Sequence, residues 1–260
     1  MKNILGSRQQ SILSTFLKQR VLVAFDFDGT LAPIVTNPSA AAIPTKTRRL
    51  LKEVARLYPC AVISGRARKD VLTRVSDIPL RAVFGNHGIE PVRNPRAVRR
   101  LVDAWQAQLA RQLPSIPGLA VEDKDTSLAL HFRQARHRPK VRQLLLDLAA
   151  QLPGARIMEG KMVVNVLPAG TGNKGTALAG LCRRLRCQSA IYVGDDDNDE
   201  DVFALAAQGR LLGIRVGRSP KSKAPYFLPA RNALSDLLTR LIEARIPRAD
   251  FSRGATARLR

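Results

Sequence analysis

VLVAFDFDGT, residues 21–30, sets five apolar residues directly against two acids, a glycine and a threonine. The apolar run is short, contains β-branched valine and is bounded by polar residues, so it predicts a strand buried on both faces. Downstream, residues 46–58 carry Leu50, Leu51, Val54 and Leu57 at helical spacing behind Pro44 and Thr45, which suit a helix start. CAVI at 60–63 repeats the strand pattern and ends in SGR. ARKDVLTRV then predicts a helix, and RAVFGNHG a strand ending at Gly85. Upstream, residues 1–20 are basic and lack a continuous apolar core, which predicts a fraying first helix rather than a secretory signal. Strands alternating with helices predict a parallel sheet joined by crossover helices.

The pattern changes after about residue 95. Residues 96–113 place Val98, Leu101, Val102, Trp105, Leu109 and Leu113 on one helical face. Residues 119–132 predict two strands around a turn at Lys124–Asp125, and 141–152 a second amphipathic helix. Residues 154–166 predict a hairpin turning at Glu159–Gly160. The crossover pattern then resumes, with helices at 173–185, 201–208 and 232–244 and strands at 189–194 and 213–217. The tail from Arg245 has five Arg and one Asp and little periodicity, so mobility is expected there. The expected fold class is therefore α/β. A Rossmann-like core with a parallel sheet spans 1–93 and 169–260, and an inserted α+β domain spans 94–168.

Composition bounds the partners. The chain of 260 residues has 43 Lys plus Arg against 21 Asp plus Glu, a net charge of +22, and 45% hydrophobic residues. No apolar run approaches the ~18–20 residues of a membrane helix. Cys60, Cys182 and Cys187 are odd in number and lack CxxC spacing. They exclude a disulfide framework and suit a reducing, cytoplasmic compartment. The basic excess is nine, six and seven over 1–95, 96–168 and 169–260, so it is spread rather than concentrated. Nucleic-acid binders usually gather charge on one face and supply stacking aromatics, which are only 5% here. The charge favours anionic small molecules instead. Neither a specific nucleic-acid partner nor a membrane is expected, and the oligomeric state is left open.

Three polar clusters each follow a predicted core strand: DFDGT at 26–30, SGR at 64–66 and GDDDND at 194–199. Strands of a parallel sheet share a direction, so these clusters emerge on one edge, where open α/β sheets build their sites. Six of the 21 acids lie within 195–201, and Asp26 and Asp28 would join them. So many carboxylates need a cation, and an all-oxygen set without His or Cys suits Mg²⁺ rather than zinc. Lys174 opens a helix, against the helix dipole, which makes sense if its ammonium reaches an anion in the site. Ser64 and the N–H groups around Gly65 are expected to hold phosphoryl oxygens at the start of the next helix.

DFDGT, SGR, the lysine of NKG and GDDDND, in that order and at strand ends, resemble the four motifs of the haloacid dehalogenase superfamily of phosphohydrolases. Within it, DFDGTLAPI, GNHGIE, VEDKDTSLALHFR, GKMVV, AGTGNKGTAL and GDDDNDED resemble the trehalose-6-phosphate phosphatases. The resemblance runs from residue 21 to about 217, the insert included. It implies a Mg²⁺-dependent hydrolysis of trehalose 6-phosphate, with Asp26 as the nucleophile that becomes an aspartyl-phosphate. It implies that Asp28 is the acid/base, which must carry its proton in the first half-reaction. It makes Asp26, the Asp28 carbonyl and Asp195 the metal ligands, with Asp196, Asn198 and Asp199 in support. Ser64, Gly65 and Lys174 would hold phosphate. The insert would be a cap reading the sugar through Glu122 and Lys124, with Ser127, His131 and Arg133 in the same motif and His87 in GNHG as a further contact. Asn165 stands where the family often has Glu, and Asn198 where Thr is common.

Plainer readings exist for each feature. DFDGT fits a solvated strand-end turn, 195–201 a solvated acidic run, Ser64 a helix N-cap, Glu122 and Lys124 a hairpin charge pair, and His87 or His131 a structural brace. Three rival functions follow: a phosphatase for another glycosyl phosphate, of the sucrose or mannosylglycerate type, which Asn165 keeps open; a basic nucleic-acid-binding protein; and a non-catalytic regulatory subunit, which the intact acids disfavour.

Overall fold

The computed structural model describes residues 1–245. Its larger sheet has seven strands, all parallel, in the order β1 (Lys2–Asn3), β11 (Tyr226–Leu228), β10 (Leu211–Val216), β9 (Ser189–Gly194), β2 (Val21–Phe25), β3 (Cys60–Ile63) and β4 (Ala82–Phe84). Its centre is β2 (Val21–Phe25), flanked by β9 (Ser189–Gly194) and β3 (Cys60–Ile63), and every residue of these three strands is buried. The continuous apolar runs follow from this, because alternate residues of β2 enter different cores. Val21, Val23 and Phe25 pack with α1 (Gln10–Leu17), α2 (Thr45–Leu57) and α8 (Leu234–Glu243). Leu22 and Ala24 pack with α6 (Lys174–Arg184) and α7 (Glu200–Phe203) on the other face. Helix α3 (Arg68–Arg74) crosses from β3 to β4 (Ala82–Phe84).

The second sheet is antiparallel, in the order β5-β6-β8-β7. It comprises β5 (Ala120–Asp123), β6 (Leu128–His131), β7 (Ala155–Gly160) and β8 (Val163–Pro168). One face, with Leu128, Leu130, Val164 and Val166, packs against Trp105 of α4 (Pro95–Gln112) and Leu145 of α5 (Arg138–Ala150). Trp105 is fully buried, and its indole Nε1 donates to the Pro153 carbonyl at 2.9 Å. The opposite face, with Ala129 and Asn165, turns to the core.

Four expectations need correction. Residues 2–3 are a strand, β1 (Lys2–Asn3), pairing with β11 (Tyr226–Leu228), and Ile4 is fully buried, so the N-terminus is anchored in the sheet ahead of α1. Strands this short have no periodicity to read. The second hairpin turns at Lys161–Met162, not Glu159–Gly160, because Glu159 pairs with Val164 and Gly160 with Val163. Met162 takes the positive φ, +65°, that the tight turn demands. Helix 201–208 is α-helical only to Phe203 and continues as a 3₁₀ segment, and β10 (Leu211–Val216) begins two residues early. The tail beyond residue 245 lies outside the described residues.

Candidate active site

The carboxyl ends of β2, β3 and β9 converge as the parallel topology requires. Asp26 follows β2 and is buried, its backbone N–H donating to the Val193 carbonyl at 2.9 Å. Lys174, the first residue of α6 behind the capping box of Asn173 and Thr176, donates from Nζ to Asp26 Oδ1 and to Asp199 Oδ1, both at 2.8 Å. The anions it reaches are therefore these two carboxylates. Asp199 also accepts from the Tyr192 hydroxyl at 2.6 Å and, through Oδ2, from the Asp196 N–H at 3.0 Å. It is fully buried and acts as the anchor for the ammonium.

Asp195 follows β9 and accepts from the Thr30 hydroxyl at 3.1 Å. One carboxylate oxygen from each of Asp26, Asp195 and Asp199 lies within 4.8 Å of the others. Gly29 at φ +78° lets Asp195 come this close, since a Cβ there would fall 2.0 Å from Asp195 Oδ2. Burial, followed by the charges of Asp199 and Asp196, pushes Asp195 up to about 7. Burial also raises Asp26, although Lys174 opposes it. Burial works against the Lys174 ammonium, but the charges of Asp199 and Asp26 outweigh it and raise its pKa. Such under-compensated acid oxygens fit a hard divalent cation. Solvent reaches Asp195 through a cleft of about 330 Å³ walled by Gly29, Ile34, Val216 and Arg231.

Asp28 is held by a residue that the sequence reading did not single out. Arg66, the last residue of SGR, donates through Nε to Asp28 Oδ2 at 2.6 Å and through Nη2 to Oδ1 at 2.7 Å. It also bonds Asp70 at 2.9 Å and lies 5.4 Å from the Phe27 ring centroid. Its position behind Ser64–Gly65 was the available signal.

Ser64 is fully buried, but it does not cap α3: its hydroxyl accepts from the Arg66 N–H at 3.1 Å, and Ala67 is the N-cap. At the α3 N-terminus, Glu90 accepts the Arg68 N–H. Gly65 packs beneath the His87 ring, where a Cβ would fall 2.6 Å from Cε1. Asp196 and Asn198 serve their own loop: Asp196 accepts from the Asp197 N–H at 2.9 Å and from the Asn198 amide at 3.3 Å.

From the smaller sheet, Lys124 reaches the Gly65 carbonyl at 3.2 Å. Glu122 pairs with His131 at 2.7 Å and with Lys124 at 3.9 Å. The hydrogen bond from His131 holds Glu122 below the usual range. Ser127 donates to Asn86 Oδ1 at 3.1 Å, and Asn86 donates to the Lys124 carbonyl at 3.0 Å, so these residues brace the two units. Asn165 is buried, and its amide donates to the Met158 carbonyl at 3.2 Å. Arg133 is exposed and makes no hydrogen bond or ion pair among the described residues.

Comparison with known proteins agrees with this geometry. Residues 24–231 match the family model described as trehalose-phosphatase. Probable trehalose-phosphate phosphatase 4 of Oryza sativa subsp. japonica is 30% identical over 257 residues, covering 91% of this chain and 70% of that protein. The C-terminal domain of C. albicans trehalose-6-phosphate phosphatase superposes with a TM-score of 0.71 at 22% identity, covering 90% of this chain and 96% of that one. A phosphatase of the haloalkanoate (HAD) enzyme superfamily, BT1666 from Bacteroides thetaiotaomicron, superposes with a TM-score of 0.60 at 18% identity, covering 87% and 95%. The chain shares the fold of these phosphatases, and it belongs to the trehalose-phosphatase family.

Proposed function

We propose that the protein hydrolyses trehalose 6-phosphate to trehalose and phosphate, with Asp26 as nucleophile. The observation that carries the reading is the meeting of Asp26, Lys174 and Asp199 at hydrogen-bond distance, with Asp195 beside them. The names of the relatives supply the substrate.

Lys174 occupies Asp26 Oδ1, and no protein donor among the described residues holds Oδ2. Oδ2 attacks phosphorus, the bond from phosphorus to the sugar oxygen breaks, and Asp28 gives its proton to that oxygen. Water then attacks phosphorus, Asp28 takes back a proton, and Asp26 and phosphate separate. Asp28 can act only when an oxygen is released from Arg66. Lys174, Ser64 and Gly65 steady the phosphoryl oxygens. Asp26, Asp195 and the Asp28 carbonyl would hold Mg²⁺, with Asp199, Asp196 and Asn198 in support. When bound, Mg²⁺ supplies charge neutralisation of the phosphoryl group.

Residues 94–168 serve in this reading as a cap, supported by their own sheet and apolar cluster. Glu122, Lys124, Asn165, His87 and Arg133 contact the sugar. The uncharged Asn165 also favours a second reading, a different glycosyl phosphate. A cytoplasmic place belongs to the same proposal, supported by three free thiols. Among the described residues no helix is long and apolar enough to cross a membrane.

Phosphate release from a panel of sugar phosphates, with and without Mg²⁺, tests the reading. Trehalose 6-phosphate should be turned over fastest and only with the metal. Faster turnover of another sugar phosphate would replace the substrate. Asp26→Asn should lose at least about 10³-fold in kcat, by analogy with removal of other nucleophiles. Near-wild-type turnover would end the mechanism.

A further inference from the structure

Arg156, on β7, lies in the seam between the two units. Its Nη2 donates to the Gly172 carbonyl at 3.1 Å, one residue before the Asn173 cap of α6. This is its one protein hydrogen bond among the described residues, and its Nε is buried without an acceptor. His87 is 6% exposed, and its Nδ1 is likewise buried without a partner. Both residues lie along the same seam. The His87–Gly88 turn lies against 172–173, where a Cβ on Gly88 would fall 2.5 Å from the Asn173 carbonyl oxygen and one on Gly172 3.8 Å from that of Gly88.

Buried polar atoms without partners are rare, and each carries the full desolvation penalty of its group. Two in one seam mark a missing partner that can face both. Burial, then the charges of Lys174, Lys124 and Arg156, keep His87 far below its ordinary pKa and therefore neutral. A neutral imidazole can accept at one nitrogen, and a guanidinium Nε–H only donates. A hydroxyl satisfies both, because it accepts and donates at the same oxygen.

We propose that Arg156 and His87 are specificity-determining residues that together bind one hydroxyl of the sugar, Arg156 Nε–H donating to its oxygen and His87 Nδ1 accepting a hydrogen bond from it. The inference rests on the sugar-phosphate reading and adds to it Arg156 and the one hydroxyl that His87 shares with it. The seam parts to admit the hydroxyl and closes over it, with the Gly172 carbonyl fixing the guanidinium plane.

The test compares kcat/KM for the sugar phosphate that the wild type hydrolyses best with kcat/KM for p-nitrophenyl phosphate, which has no sugar hydroxyl. The ratio should fall about tenfold or more in Arg156→Met, as expected for loss of a hydrogen bond to a charged donor. It should also fall in Arg156→Lys, which keeps the charge but not the Nε–H. His87→Phe, which keeps a ring over Gly65, should lower it too, and the double variant should lose little beyond the larger single loss because both serve one hydroxyl. An unchanged ratio in the single variants, whether both substrates suffer equally or neither does, overturns the proposal. So does a full ratio in Arg156→Lys. A wild type that hydrolyses aryl phosphate alone overturns the substrate reading as well, whereas an active wild type with indifferent variants overturns this inference only.

Discussion

Arg66 and Asp195 show how single side chains set the chemistry. Arg66 grips both oxygens of Asp28 and is itself held by Asp70 and Phe27. Arg66→Ala is expected to lower kcat by about 10²-fold, the scale of a small misplacement of a catalytic group. Arg66→Lys should recover little, because an ammonium cannot make the two-pronged contact. Steady-state kinetics of both variants decide this. Asp195 makes a separate prediction. Its carboxyl is raised from 3.8 to about 7 by burial first and then by Asp199 and Asp196. A proton bound more tightly in the folded state contributes fully below about pH 4, and that contribution is lost as pH rises through about 7. In EDTA, the wild type should therefore lose stability relative to Asp195→Asn between pH 4 and pH 7. Mg²⁺ should raise the wild-type Tm more at pH 8 than at pH 5, since the metal takes the deprotonated carboxylate. Thermal unfolding at these pH values, with and without metal, checks both signs.

Strand ends and turns carry the next level of organisation. The loop after β2 can approach the loop after β9 only because Gly29 has no side chain and a φ of +78°. Gly29→Ala should cost about 1–3 kcal/mol of stability, the range for a strained backbone position, and should lower kcat by displacing Asp195. Gly154→Ala is the control: its φ is +64° but nothing lies within 4 Å of the added Cβ, so activity should hold. Urea unfolding and initial rates measure the pair. The sequence displayed β2, β3 and β9 clearly because each is an apolar run that stops at a polar motif. It concealed the β7–β8 turn, since Glu159–Gly160 has turn-like composition while strand pairing decides the register. It concealed β1 and β11 because two or three residues show no period. Among the site residues, Asp26, Lys174 and Asp199 were legible from their motifs, and the structure joins them. Arg66 and Arg156 were not, because an arginine in a chain with so many reads as surface charge until its partner is seen.

On the scale of the whole chain, two sheets divide the labour of packing. One has apolar clusters on both faces, and the other buries one face under α4 and α5 and offers the second to the core. The spread of basic residues now has a local counterpart: Lys124, Arg66, Arg156 and Lys174 all turn inward at the junction, where each finds a carbonyl or a carboxylate. The overall charge hid this, because +22 distributed along a chain says nothing about which cations are buried.

The close approach of Gly88 to Asn173 bears on how the chain can be rebuilt. The way into the insert and the way out of it pass side by side at the sheet edge, so the intervening loop can be excised without leaving distant ends to join. A protein with residues 94–168 replaced by a short Gly–Ser bridge should still show a cooperative unfolding transition in circular dichroism. It should retain slow cleavage of small aryl phosphates and lose all preference among sugars. Modularity of that kind would let such a catalytic platform change clientele by exchanging one contiguous cassette.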